Sequence, residues 1–544
     1  MKESSPSSRM LKGAFILALA AVLSKLIGTI QKIPLQNIGG DGVFGIYNAV
    51  YPFYTLVLLV ATAGFPAAVS KFVAERIAAG NEEGARRVLT ISSVMLIVLG
   101  VVGGILMYIG APLLADWIDN RHTEAAIRSS ALALPLVPIM AGLRGYFQGM
   151  HNMIPTAVSQ VAEQTIRVAA MVILLLMLDR NGAADDWIAA GATFGSAAGG
   201  AAGLFVMLIY WWIYRQKSAN KLSLSSQSHS VHEPVFPLLK ALSLYALPIC
   251  LGSLSAPLIS LVDTFTVPRL LKGIGWSEAE AMVQFGIYNR GMPLVQLMSM
   301  LATSLSVLFI PALADARVRD RMDLVQSQSR QALSWFWLLG LAASAGVAVL
   351  AVPLDIMLYQ DDAGSEAMRW LAFTGVGATV SIVTAALLQG MGSVKAPAVH
   401  LLLATVVKAV LNIILVPYFG INGAAFAGIV GYAVAAVLNT WLLIRLTRLQ
   451  VTWKQDVVKP LFLVAVMSGA VIAWMFGAEY LFDRWALDGR IQASLITLGG
   501  VCIGGVVFAG GIFQLKIMTT AEIIALPKIG KKLAKLLQKF KLIS

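Results

Sequence analysis

Apolar runs of about twenty residues follow one another along the whole chain, separated by short polar breaks rich in glycine and proline. Each run is long enough to cross a bilayer as a helix. Read with the loop breakers, the pattern predicts spans near 11–31, 43–65, 88–110, 128–147, 155–178, 187–213, 239–267, 284–310, 331–352, 368–389, 396–416, 422–444, 458–478 and 491–514. The fold class is therefore an all-α polytopic membrane protein with about 14 transmembrane helices. The first run follows MKESSPSSRMLK without a small-residue cleavage site and reads as a retained span rather than a signal peptide. The longest interruption, Tyr214–Pro237, is polar and Ser-rich and reads as a flexible cytoplasmic linker. It separates an N-lobe (1–213, spans one to six) from a C-lobe (238–446, spans seven to twelve). Spans thirteen and fourteen (447–514) and a basic tail (515–544) follow.

Two words repeat inside this pattern. FGIYN opens span two at Phe44–Asn48 and span eight at Phe285–Asn289, displaced by 241, and each copy runs on to a proline, Pro52 or Pro293. QGM closes span four at Gln148–Met150 and span ten at Gln389–Met391, at the same displacement. A shift of six spans is even, so both copies face the same way. Two parallel six-helix lobes plus two C-terminal helices form a transporter architecture with its site between the lobes. The repeated word has two readings. It is either packing at a helix start, with glycine for close approach, or a lining of the passage by Tyr47, Asn48, Tyr288 and Asn289. GATFGSAAGGAAG (Gly191–Gly203) reads as small-residue helix contact, because no strand or Lys-Ser/Thr accompanies it as in a phosphate loop.

Composition agrees with the spans: 58% of residues are hydrophobic and only 13% charged. With the N-terminus inside, the inner segments hold 28 basic residues against nine in the outer loops. That asymmetry predicts cytoplasmic termini in a plasma-membrane protein. The net charge of +13 then faces anionic headgroups rather than nucleic acid. Cys250 and Cys502 lie in apolar spans and the five histidines are scattered, so neither a disulfide framework nor a metal site is expected, and no cofactor. The outer loops ADWIDNRHTEA, DRNGAADDW and LDIMLYQDDAGSE are short with scattered acids, which argues against a glycosyltransferase or polymerase. The tail PKIGKKLAKLLQKFKLIS (Pro527–Ser544) puts apolar residues on one helical stripe and lysines elsewhere, suiting the inner leaflet or a cytosolic partner.

Four bases remain inside spans, Lys25, Arg167, Arg290 and Lys408, with two acids, Glu163 and Asp263. Lipid-facing, four such charges would cost on the order of 10 kcal/mol, so they should face a polar interior or one another. Glu163 and Arg167 stand four apart on span five and can pair as a structural brace or as part of a site. Arg167 and Lys408 correspond at the displacement of 241. Lys25 either snorkels to the interface or joins the cavity. Arg290 follows the repeated word where the first copy has Ala49, and guanidinium geometry suits phosphate oxygens. The excess of about two positive charges implies an anionic substrate, and transport fits better than chemistry. It also speaks against a multidrug/cation antiporter, which would need an acidic cavity.

GFPAAVSKFVAE (Gly64–Glu75), LVPIMAGLRGYFQGM (Leu136–Met150) and PTAVSQVAEQTIRV (Pro155–Val168) resemble the Gram-positive branch of the MurJ-type lipid II flippases. That branch includes the stage V sporulation protein B group and belongs to the multidrug/oligosaccharidyl-lipid/polysaccharide exporter superfamily. These three stretches, and the two terminal spans, disfavour a major-facilitator carrier, which also has parallel six-span repeats. The resemblance implies fourteen spans and transfer of an undecaprenyl-diphosphate-linked sugar to the outer leaflet by alternating access. Spans one, two, seven and eight would line the cavity, and spans thirteen and fourteen would hold the lipid tail. Membrane lipids and cell-wall synthesis proteins are the implied partners. Lys25, in SKLIG, stands where relatives carry a first arginine, with Gln31 near the second, and Arg290 in YNRGMPL resembles the span-eight arginine. The span-two arginine has no match, so Lys25 and Arg290 carry more of the diphosphate site. Some relatives bind Na⁺ between acids on spans seven and eleven. This chain has Asp263 but Lys408 there, so the ammonium is expected to replace the ion. The coupling source, an ion or the membrane potential, stays open.

Overall fold

The computed structural model describes residues 6–222, 234–306, 309–449, 452–483, 487–515 and 517, and the described residues form helices without strands. In chain order these are α1 (Pro6–Ile30), α2 (Lys32–Thr62), α3 (Phe65–Ala78), α4 (Glu82–Ile109), α5 (Ala111–Ile118), α6 (Glu124–Ala131), α7 (Leu136–Gly149), α8 (Ile154–Arg180), α9 (Asp185–Leu222) and α10 (Val235–Gly273). They continue as α11 (Glu278–Asn289), α12 (Met292–Ser306), α13 (Phe309–Val318), α14 (Met322–Val349), α15 (Ala351–Tyr359), α16 (Ser365–Gly390), α17 (Lys395–Thr447), α18 (Lys459–Asp483) and α19 (Gly489–Gln514). The expected tail helix Pro527–Ser544 lies outside the described residues. The first part of the expected linker does not: α9 runs through Leu222. YRQKSANKL contains no breaker and several good helix formers, so the helix continues past the last apolar turn.

Eleven described segments are long and apolar enough to cross a membrane. Two of them, Phe15–Ala78 and Lys395–Thr447, each contain two of the expected spans. A straight helix the length of α17 would reach about 80 Å, far beyond a hydrocarbon core of about 30 Å. Gly420, with φ 55° and ψ −137°, breaks it between expected spans eleven and twelve. Gly40, at φ 73° and ψ 178°, breaks α2 ahead of span two in the same way. Both conformations lie in the left-handed half of the map, where glycine has no side chain to clash. Expected span seven falls in α10, which runs unbroken from Val235 to Gly273 with Pro248, Pro257 and Pro268 inside it.

The chain divides into two compact units, Met1–Gly286 and Ile287–Ser544. The first unit extends past the expected linker at 214–237, because α10 packs with α2, α3, α4 and α5. Aromatic contact is part of the reason, with Phe265 edge-on to Phe53 at 5.0 Å. Within the first unit α9 lies along α8 at very close range. A Cβ on Gly195 or Gly199 would strike the backbone carbonyls of Arg167 and Glu163, at 2.6 Å in each case. The Gly191–Gly203 stretch is therefore helix contact, as its composition suggested. In the second unit α16 packs against α12, α14 and α17. Val383, Leu387 and Leu388 meet Leu313, Ala332, Phe336 and Leu443 there in one apolar cluster.

The displacement of 241 reappears in geometry. A Cβ on Gly45 would collide with the carbonyl oxygen of Met282, and one on Gly286 with that of Asp41. Each glycine of the repeated word thus seats against the residue four before the other, reciprocally, and all four positions lie in the first unit. The QGM words also end their helices alike. His151 N–H donates to Gln148 O and Gly392 N–H to Gln389 O, both at 2.9 Å, and His151 and Gly392 share a positive φ.

Candidate functional site

Among the described residues the buried charged side chains are Glu163, Arg167, Asp263, Arg290, Asp355 and Lys408. That is three acids and three bases, which corrects the excess of about two positive charges expected from the sequence. Asp355 joins the set from a stretch assigned to an outer loop. Lys25 leaves it, being exposed on α1, as a lysine facing either headgroups or a cavity would be.

One charge centre lies in the first unit, on α7 and α8. Arg167 Nη2 donates to Glu163 Oε1 and Arg144 Nη2 to Glu163 Oε2, each at 2.9 Å. All three side chains are at least four-fifths buried. Arg144 also donates to Ser159 Oγ at 2.8 Å, and that hydroxyl donates to Gly203 O at 3.0 Å. Arg144 is one of the 28 basic residues that the sequence assigns to the inner segments. It is instead the second cation on one carboxylate, because α7 packs on α8 and α9 and carries it inward.

The other centre lies in the second unit, at a helix break. α11 stops at Asn289 and α12 starts at Met292, with Pro293 unable to supply an N–H across the gap. Arg290 sits in that gap and is completely buried. Its Nη1 and Nη2 donate to the two oxygens of Asp361, at 2.6 and 3.1 Å, and Nη1 reaches Asp355 at 3.4 Å. The Tyr359 hydroxyl donates to the Arg290 carbonyl at 3.0 Å, and the guanidinium lies 5.5 Å from the Tyr359 ring centre. Asp355 is held by the Gly364 N–H at 2.7 Å and the Ser365 hydroxyl at 3.2 Å. A Cβ on Gly364 would come within 2.8 Å of Arg290 Cδ, so this turn closes over the guanidinium only with glycine. The two carboxylates differ. Burial pushes Asp355 up to about 6 despite Arg290, while the hydrogen bonds from Arg290 hold Asp361 below its usual range. Asp355 is fully buried, whereas the Asp361 side chain is 52% exposed.

Residues 10–317 match the family described as Polysaccharide biosynthesis protein. The chain belongs to that family. Within it, the chain is 33% identical to "Uncharacterized membrane protein YabM" of Bacillus subtilis (strain 168), over 97% of this chain and 96% of the relative. It is 29% identical to "Lipid II flippase MurJ" of the same organism, over 92% and 94%. A solved structure, "Lipid II flippase MurJ, inward closed conformation", superposes with a TM-score of 0.63 at 14% identity, covering 93% of this chain and all of that one. The fold is thus the helical transporter fold of the superfamily named from the sequence, and this family member is a multi-pass membrane transporter rather than an enzyme.

The remaining site residues fall as follows. Gln31 and Tyr47 are buried together, Gln31 Nε2 donating to the Tyr47 hydroxyl at 3.3 Å, and Tyr47 stacks on Tyr51 at 5.7 Å. The Asn48 amide donates to Phe44 O at 2.7 Å, along its own helix. Tyr288 and Asn289 are buried beside the break that carries Arg290. All five side chains are thus buried. Asp263 is buried on α10, in the first unit. Lys408 is buried on α17, in the second, its stem against Gly431. The sequence reading missed Asp355 and Asp361. Its own topology held a signal, since the start of span eight and the loop LDIMLYQDDAGSE were assigned to the same side of the membrane.

Proposed function

We propose that the chain is a flippase carrying a polyprenyl-diphosphate-linked sugar of the lipid II class from the inner to the outer leaflet of the plasma membrane, with both termini cytoplasmic. The two six-span lobes, 1–213 and 238–446, would alternate access to the site. The observation that carries this reading is Arg290, a guanidinium buried at a break in expected span eight and aligned for two-oxygen recognition. Similarity to a named lipid II flippase over nine-tenths of the chain supports it. A recess of about 460 Å³ lined by Phe373, Ile472, Met475 and Phe476, with Arg369 and Glu479 beside them, suits a stretch of prenyl chain. Lys408, buried where some relatives place an acid, acts as a built-in counter-charge in place of a coupling cation. Na⁺-dependent transport with Na⁺ bound beside Asp263 contradicts that part.

A second reading, cation or drug exchange on the same fold, has one observation behind it: among the described residues, buried acids and bases are equally numerous. Depletion of the protein followed by analysis of lipid-linked sugars separates the two. A flippase gives accumulation of one diphosphate-linked precursor on the inner leaflet and identifies its sugar. Unchanged precursor pools, with altered cation or drug efflux, reverse the assignment.

A further inference from the structure

The arrangement around Arg290 contains more than a ligand needs and less than a permanent brace would use. A buried guanidinium left alone in low dielectric is costly, so it must always have an anion. Asp355 supplies a permanent one, fully buried and fixed by the Gly364 N–H and the Ser365 hydroxyl. Its contact with Arg290 is the long one, 3.4 Å through one nitrogen. The short, two-point contact belongs to Asp361, whose side chain is half-exposed on the turn before α16 and held otherwise by the Ala363 N–H at 2.9 Å. A carboxylate in that position can swing out to water without being left buried and unpaired. The two donors it would release are spaced as a fork for two oxygens of one phosphate. Asp361 and an incoming phosphate compete for the same two nitrogens, so the carboxylate has to leave before the phosphate can take its place.

We propose that Asp361 is a place-holder for the substrate: it occupies the phosphate position on Arg290 when the site is empty, and the diphosphate displaces it. This rests on the reading of Arg290 as a diphosphate ligand and adds an exchange step to it. Asp355 remains in both states, so Arg290 is never without a counter-charge. The place-holder lowers apparent affinity by the fraction of molecules in which it is released, and a protein released one time in ten binds about tenfold more weakly than one with the fork free.

The test titrates full-length protein in phosphatidylcholine nanodiscs with geranylgeranyl diphosphate, using geranylgeraniol as the probe without phosphate. Asp361→Asn is expected to bind the diphosphate about tenfold more tightly and the alcohol unchanged, while Arg290→Gln loses saturable diphosphate binding. If Arg290→Gln loses binding but Asp361→Asn binds no more tightly than the parent, the exchange step is wrong and the Arg290 reading stands. If Arg290→Gln binds like the parent, the Arg290 reading fails and takes the exchange with it. A measurement on the unaltered protein covers the case in which a variant does not fold. Amide exchange at Ala363 should speed up when the probe saturates, because its carboxylate partner has left, and unchanged protection there overturns the proposal.

Discussion

The two buried charge centres are built from opposite proportions. In the first unit, one acid serves two bases inside tightly packed helices, with Glu163 between Arg144 and Arg167. In the second, the described contacts put one base, Arg290, between two acids, Asp355 and Asp361, at a helix break. The first centre has no half-exposed member and is walled by Gly199 and Gly203, so neither helix can shift without collision. The second has a member that reaches water. A brace and a switchable site use the same chemistry, and exposure of one partner is what distinguishes them.

Mutations that unbalance each centre test that distinction. Glu163→Ala removes the one carboxylate that the described residues place on both Arg144 and Arg167, and a loss of about 3–5 kcal/mol in stability is expected, read as thermal melting of the purified protein. Stability within about 1 kcal/mol of the parent would mean that the first centre is not a brace. Arg167→Ala leaves Glu163 paired with Arg144, so a loss of about 1–3 kcal/mol is expected. The protein level should fall while transport per molecule is kept.

The second centre should respond to pH. Because burial pushes Asp355 up to about 6, the folded protein holds this proton more tightly than the unfolded chain does. Stability from Asp355 is complete below its ordinary value of 3.8 and is lost as pH rises to about 6. The melting temperature of the parent should therefore fall relative to Asp355→Asn over that window and run parallel to it above. Asp361, with its lowered value, acts in the opposite direction and only at more acid pH. A difference between parent and variant that does not change with pH contradicts the assignment. The smallest effect belongs to the solvent-exposed pair Arg319–Asp315, where Arg319→Ala should cost no more than about 0.5 kcal/mol. A larger cost there would show that exposure does not separate the two kinds of centre.

Much of this molecule could be read from the chain because its strongest signals are local. Hydropathy located the helices, and the Glu163–Arg167 pair follows from four-residue spacing. The repeated words reported a real reciprocity, since Gly45 and Gly286 seat against each other's helix. What the chain hid is long-range. Arg144 reaches Glu163 across a turn between two helices, and Asp355 and Asp361 reach Arg290 from 65 and 71 residues away. Sequence spacing carries no distance for such pairs. The apparent cationic excess came from two placements that spacing does not carry, Asp355 filed under a loop and the exposed Lys25 counted inside. The extension of α9 through Leu222 was hidden for another reason: a helix can outlast its apolar stripe when the next residues are good helix formers.

Under the proposed function, the buried Arg290 holds a diphosphate during its crossing. The most direct test of that role is complementation of flippase-depleted cells by Arg290→Ala at matched membrane expression, with lipid-linked precursors measured in the same cells. No rescue and continued accumulation of the precursor are expected, while Arg167→Ala restores growth in proportion to its amount. Normal growth and normal precursor levels with Arg290→Ala would contradict it.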